Sequence, residues 1–300
     1  MKKWMVYAIT WLVVIALVAG VYQFAVVPAM QPEPDKEKTV REGSKVQVNY
    51  IGMLAPQYGG GLVFDTSIYS VAMDNKSYPK TPTFKMRPKN QYIPLMVHVG
   101  GASEGGYTSV IPGFSEGLIG MRPGETKSIT IPPEKGYGYG DPKLIETHPI
   151  VEKLPIREEY PNSKFLYDFG KNPEIGLVVE HPKYHWPMVV ENVLDGYAIV
   201  SNQPTEGETY YTGYWNVKVL SMDSSANNGN GSIEVKNLIT PDDAYHVKGV
   251  SVPVNGDGKE ATFVLTAVDL ENGTYTMDYN DLTKGRTLIF IVELISIDVY

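Results

Sequence analysis

The sequence predicts an α+β protein, with a β-rich core around one short helix, a long further β-rich stretch, and a single N-terminal transmembrane helix. Three observations predict this. Short alternating apolar segments are separated by turn residues, and the 300-residue chain holds 29 Gly, 22 Pro and 21 Tyr, a mixture that suits strands and tight turns. The helical pattern near residue 115 is brief, running from Phe114 to Ile119 before Gly120 and Pro123 stop it. An almost uninterrupted apolar run extends from Trp4 to Val27.

Taken in order, Met1-Lys2-Lys3 precedes that apolar run, which as a helix is long enough to cross a hydrocarbon core of about 30 Å. No small-x-small cleavage site closes it, so a signal anchor is expected ahead of a cleaved signal peptide. The two lysines place the N-terminus on the cytoplasmic side and the rest of the chain outside. Pro28–Lys38 is Pro-rich and charged and reads as a tether within a linker over 28–40. Val46–Tyr50 alternates as a strand, with Val46, Val48 and Tyr50 on one face. Leu62–Phe64 begins a second strand that ends at Asp65-Thr66-Ser67. Ile68–Tyr92, rich in Pro, Lys and Asn, reads as an exposed loop. Pro94–Val99 and Thr126–Ile131 are further strands.

The net charge of −8, with no basic stripe, argues against a nucleic-acid partner. The absence of cysteine excludes disulfides, Cys-ligated zinc and thiol catalysis. His181 and His185 are four apart, but Pro182 and Pro187 argue against a helix presenting both to a metal, and neither metal nor cofactor is expected. Asn75-Lys76-Ser77, Asn230-Gly231-Ser232 and Asn272-Gly273-Thr274 match the glycosylation tripeptide, a pattern that chance also produces. The aromatics Tyr184, Trp186, Tyr197, Tyr210, Tyr211, Tyr214 and Trp215 suit either a binding surface or cross-strand packing.

Ser109–Asp141 reads as an apolar turn (Val110-Ile111-Pro112-Gly113-Phe114), a short helix, a Pro-Gly turn, a strand ending in Pro132-Pro133, and a Tyr/Gly loop. Few reactive side chains occur there, so an apolar pocket is expected. The order VIPG-aromatic, EGLxGMxxGE, IPPExGYG resembles the FKBP-type peptidyl-prolyl cis-trans isomerases. Val46–Gly52 and Gly61–Ser67 resemble that family's first two core-strand motifs. The resemblance implies an antiparallel half-barrel around the short helix and a pocket that rotates X-Pro bonds without covalent chemistry. Its partners would be unfolded or proline-containing polypeptides. Carried over by position, it implies that Tyr50, Phe64 and Asp65 form the wall, Ile111 donates its backbone N–H to substrate, Phe114 forms the floor and Tyr137 donates its hydroxyl. Leu95, Val110 and Phe290, or Trp215 in place of Phe290, would complete the substrate contacts. The Ile68–Tyr92 loop and Ser103–Thr108 depart from the family pattern. A non-catalytic chaperone or envelope-assembly protein on the same scaffold is the rival reading.

Beyond Tyr137, where the family chain would return quickly to a last barrel strand, more than a hundred residues intervene, which resembles the SlyD-like and archaeal members, whose β-rich insert in the flap captures unfolded clients. The isomerase domain is then 41–141 plus 283–300, and the insert 142–282. Asn202–Thr209 aligns with Asn280–Thr287, and Trp215–Asp223 with Phe290–Asp298, as an internal repeat. Two closures follow. Either Thr287–Ile297 closes the barrel, or 209–223 does and 230–300 forms an extra domain. The oligomeric state is not set by the sequence.

Overall fold

The computed structural model describes residues 39–254 and 258–299. The Trp4–Val27 run and the whole Pro28–Lys38 tether lie outside the described residues. Among the described residues no helix is long and apolar enough to cross a membrane. The chain divides into two compact units: the described residues up to Leu144 together with Asn280 onward, and Ile145–Tyr279.

In chain order the first unit contributes β1 (Lys45–Leu54), β2 (Val63–Thr66), α1 (Tyr69–Met73), β3 (Leu95–His98), α2 (Pro112–Leu118) and β4 (Thr126–Ile131). The second contributes β5 (Ile145–Pro149), β6 (Val151–Leu154), β7 (Arg157–Pro161), α3 (Asn162–Phe169), β8 (Val178–Glu180), β9 (Pro187–Val193) and β10 (Tyr197–Asn202). It continues with β11 (Thr209–Tyr211), β12 (Asn216–Asp223), β13 (Ser232–Asn237), β14 (Lys248–Ser251), β15 (Ala261–Asp269) and β16 (Thr274–Asp278). The chain then re-enters the first unit as β17 (Leu288–Val299).

The first unit is a five-stranded sheet in the order β2-β1-β17-β4, with β3 also pairing β1. β1 and β17 pair antiparallel along their length, with Tyr50 opposite Val292 and Gly52 opposite Phe290. Pro112 suits the first helical position of α2, where its missing N–H costs nothing. Phe114 and Leu118, four apart, bury one face of that helix. The helix lies so close to β4 that a Cβ on Gly117 would stand 2.5 Å from Ile129 Cδ1. The helix spans Pro112–Leu118 and so starts ahead of the expected Phe114–Ile119, because proline is tolerated in its first turn.

Val46, Val48 and Tyr50 are buried on one face of β1. Beyond Tyr50 both faces are buried, and the cause corrects the expectation of an exposed 68–92 loop. That segment contains α1 and packs Val71, with the partly buried Ile68, Tyr78 and Phe84, over Ile51, Met53, Val63 and Ile291. The apolar residues are spaced too irregularly among Pro, Lys and Asn to reveal this face.

The second unit is built three times over. Each of three meanders (β8-β9-β10, β11-β12-β13, β14-β15-β16) gains a fourth strand from the β5-β6-β7 run: β7 beside β10, β6 beside β13, β5 beside β16. That run has a six-residue period, Ile-Glu-Thr-His-Pro-Ile, Val-Glu-Lys-Leu-Pro-Ile, Arg-Glu-Glu-Tyr-Pro-Asn. It sets Glu158 opposite Val200, Glu152 opposite Val235 and Glu146 opposite Met277. Two residues past those partners stand Asn202, Asn237 and Tyr279. The Trp186 indole donates to Asn202 Oδ1 at 2.8 Å and the Trp215 indole to Asn237 Oδ1 at 2.7 Å. Each amide in turn donates to a repeat glutamate, Asn202 to Glu158 at 2.9 Å and Asn237 to Glu152 at 2.7 Å. These bonds satisfy polar groups whose burial would otherwise be costly. The third copy differs. Register places Ala261 where the others have Trp, and Tyr279 where they have Asn, and the Tyr279 and Ser251 hydroxyls lie 2.6 Å apart.

The structure therefore corrects the repeat inferred from sequence. Trp215 and the 216–223 strand belong to the second of these sheets, β12 pairing β11 and β13. Phe290–Asp298 lies in β17, between β1 and β4. The shared Asn-x-x-x-x-Gly-x-Thr pattern describes a turn leading into a strand and carries no information about that strand's partners. Closure by 209–223, with 230–300 as a separate domain, is accordingly not what the chain adopts. His181 also holds its own turn together, since its Nδ1 accepts the backbone N–H groups of Lys183 at 3.0 Å and Tyr184 at 3.2 Å. Burial pushes its pKa down to about 4, which keeps the ring a neutral acceptor. His185 pairs with Glu180 at 2.7 Å. Of the aromatics with two readings, Tyr184 stacks on Trp186 and Tyr214 meets Phe263 edge-on, which is packing, whereas Tyr211 is exposed.

Candidate functional site

A cavity of about 230 Å³ opens between the sheet and the start of α2, lined by Tyr50, Phe64, Asp65, Leu95, Ser109, Val110, Ile111, Phe114, Tyr137 and Phe290. All the residues expected at the site from sequence line it except Trp215. That residue is buried in the second unit against Phe263 and Tyr275.

Four aromatic rings make the floor and wall. Phe114 from α2 and Phe290 from β17 meet edge-to-face with centroids 5.0 Å apart, and Phe64 from β2 meets Phe290 the same way at 5.6 Å. Tyr50 approaches Phe114 at 6.3 Å and Phe290 at 6.1 Å. These are the favourable geometries for aromatic pairs. They depend on Gly52, where a Cβ would lie 2.8 Å from Phe64 and 2.9 Å from Phe290. The absence of a side chain there lets the two rings meet across the strand. Val110 and Ile111 reach the rim because Ile111 is the N-cap of α2, with φ −55° and ψ 145°.

One carboxyl group is set into this wall. Asp65 Oδ2 accepts the Tyr50 hydroxyl at 2.5 Å, and Oδ1 accepts the Thr66 N–H at 2.8 Å. Burial first, then the Asp65 carboxylate, push the Tyr50 phenol well above its usual pKa. It therefore stays a donor at neutral pH. Arg87 Nη2 stands 3.2 Å from Asp65 Oδ1 and also donates to the Thr66 carbonyl. The Arg87 guanidinium lies over the Tyr92 ring, 4.9 Å from its centroid. Sequence reading missed Arg87. The signal was indirect: a carboxylate in an apolar wall calls for a cation, and the nearby loop holds Lys76, Lys80, Lys85, Arg87 and Lys89, of which the planar guanidinium best matches a carboxylate. Ser109 was missed as well, being a small polar residue beside the apolar turn.

Tyr137 sits across the mouth in a loop held by the Gly285 N–H donating to the Gly138 carbonyl at 2.8 Å. Burial, with the charges of Asp65 and Asp281, raises its phenol above the ordinary value, so it too remains protonated. Among the described residues no cluster of His, Asp and Glu could hold a metal ion.

Fold and pocket together define a small β-sheet protein with an apolar, aromatic-floored cup that carries one carboxylate in its wall and a phenol in its lining. Residues 101–156 match the family model for FKBP-type peptidyl-prolyl cis-trans isomerase. The chain is 40% identical over 110 residues to the short-type peptidyl-prolyl cis-trans isomerase of Methanocaldococcus jannaschii, covering 37% of this chain and 58% of that protein. It is 30% identical over 132 residues to FK506-binding protein 2 of Yarrowia lipolytica, covering 41% of this chain and 69% of that protein. The chain belongs to the FKBP-type peptidyl-prolyl cis-trans isomerase family. It spans under two thirds of the archaeal relative's length.

Proposed function

We propose that this protein accelerates X-Pro bond rotation in unfolded or folding polypeptides outside the cytoplasm. The observation that carries the reading is the aromatic cup with the Tyr50–Asp65–Arg87 group in its wall. The barrier to rotation is amide resonance, about 18–20 kcal/mol. A twisted amide has less charge separation than a planar one and loses less on leaving water, so an apolar cup favours it. Phe64, Phe114 and Phe290 supply that cup. In this reading the Ile111 N–H and the Tyr137 hydroxyl, both from cavity-lining residues, hold substrate carbonyls. Binding that is tighter in the twisted state than in either planar state is what lowers the barrier. Asp65, held by two hydrogen bonds and the Arg87 ion pair, presents a fixed field to the rotating bond.

Asp65→Ala and Tyr137→Phe are each expected to lower kcat/KM about tenfold, ~1.4 kcal/mol, in a protease-free peptide isomerisation assay, with thermal unfolding still cooperative. Full activity in the double variant would remove the site assignment and favour the non-catalytic chaperone reading.

In this proposal the second unit, like the insert of SlyD-like proteins, holds unfolded clients. The sequence supports a membrane location, since Lys2 and Lys3 precede the Trp4–Val27 run. The full chain is then expected to stay with membranes through alkaline carbonate extraction. Release into the supernatant, or a mature chain starting near Met30, would overturn the anchor.

A further inference from the structure

The two segments that depart from the family pattern, Ile68–Tyr92 and Ser103–Thr108, meet at a second cavity. It measures about 270 Å³, and Arg87, Gln91, Ile93, Met96, Gly106 and Thr108 are among its lining residues. Tyr50 and Leu95 line both cavities, so a single layer of side chains divides them. We propose that this second cavity is a specificity subsite that takes a glutamine side chain of the polypeptide whose prolyl bond occupies the first. The proposal rests on the isomerase reading for its substrate.

The chemistry of the lining selects the occupant. Ile93, Pro94, Leu95 and Met96 supply apolar lining, suited to a methylene stem. Ile93 is 63% exposed, a large apolar surface without a protein partner over most of its area. Arg87 supplies donors. Its contacts to Asp65 and to the Thr66 carbonyl both run through Nη2, its buried Nε has no hydrogen-bond partner, and the side chain is 34% exposed. A wholly apolar side chain would strip water from those N–H groups and return no bond. A glutamate would bring a second carboxylate to a guanidinium whose charge Asp65 already offsets from 3.2 Å, and the two like charges would repel. Glutamine offers the stem and a neutral carbonyl oxygen. Successive side chains of an extended chain point to opposite faces, so the nearest residue that shares the proline's face is two positions away. The glutamine therefore belongs two residues from the proline.

The test is protease-free isomerisation by the full chain in detergent, on peptides with Gln, Glu, Leu or Ala two residues before or after the proline. At one of these positions kcat/KM is expected to be about tenfold higher for Gln than for Ala, with Leu and Glu between them. Arg87→Lys keeps a positive charge beside Asp65 but loses the planar fork, and should bring the Gln-to-Ala ratio close to one. Because the readout is a ratio, general damage to the pocket cancels. Equal rates across all four residues at both positions overturn the subsite. If no peptide is isomerised, the activity reading fails, and the same peptides titrated for binding decide the subsite: preferential binding of the Gln peptide supports it, and equal binding overturns it.

Discussion

Phe114→Ala is expected to destabilise the first unit by about 3–5 kcal/mol and to abolish most peptide isomerisation. Phe114 is 3% exposed and is the ring on which both Phe290 and Tyr50 rest. Truncation opens a cavity between α2 and β17 and removes the floor of the cup at the same time. Denaturant unfolding should show a lower midpoint with an unchanged slope. Phe114→Leu, which keeps much of the volume, should recover most of the stability and only part of the activity. If Phe114→Ala stays within about 1 kcal/mol of the parent protein, the ring is not the buried floor.

Replacing residues 145–279 by a short turn is expected to leave a folded, peptide-active first unit that has lost most of its effect on a refolding protein. The excision is geometrically possible because Ile145 and Asp278 are cross-strand partners, so the chain enters and leaves the second unit at nearly the same point. Every cavity-lining residue lies outside the excised segment. A short peptide needs only the cup. A collapsing chain must be kept near it, and a tethered holding site raises effective concentration enough to change apparent affinity by roughly 10²–10⁴. Equal losses on peptide and protein substrates would show that the second unit holds no client.

The pocket was legible in the sequence because its parts are local. The Val110–Phe114 turn, the Phe64-Asp65 strand end and the Tyr137 loop each carry their own short pattern, and the cavity collects them. Arg87 was not legible, because its role arises from a fold-back of the 68–92 segment onto β1 and β2 that no periodicity announces. The threefold build of the second unit was hidden for a related reason. Its most regular signal, the Glu and Pro repeat of Ile145–Asn162, has a period of six, which matches neither a strand nor a helix and makes sense only when each step is given to a different sheet. Trp215 illustrates the opposite error. Its flanking sequence resembled that of β17, yet its indole serves Asn237 in a different unit.

The pairing pattern also sets an order in time. Glu158 meets Asn202 across 44 residues, Glu152 meets Asn237 across 85, Thr147 meets Thr276 across 129, and Asn49 meets Glu293 across 244. The partners are nested, each earlier strand waiting for a later one, like brackets closed in reverse. A chain made from its N-terminus presents β1 before β17 and can complete that strand's ladder only when β17, beyond the second unit, arrives. Contacts of such long range form slowly. The sheet of the first unit therefore keeps an open edge until the whole second unit has been made.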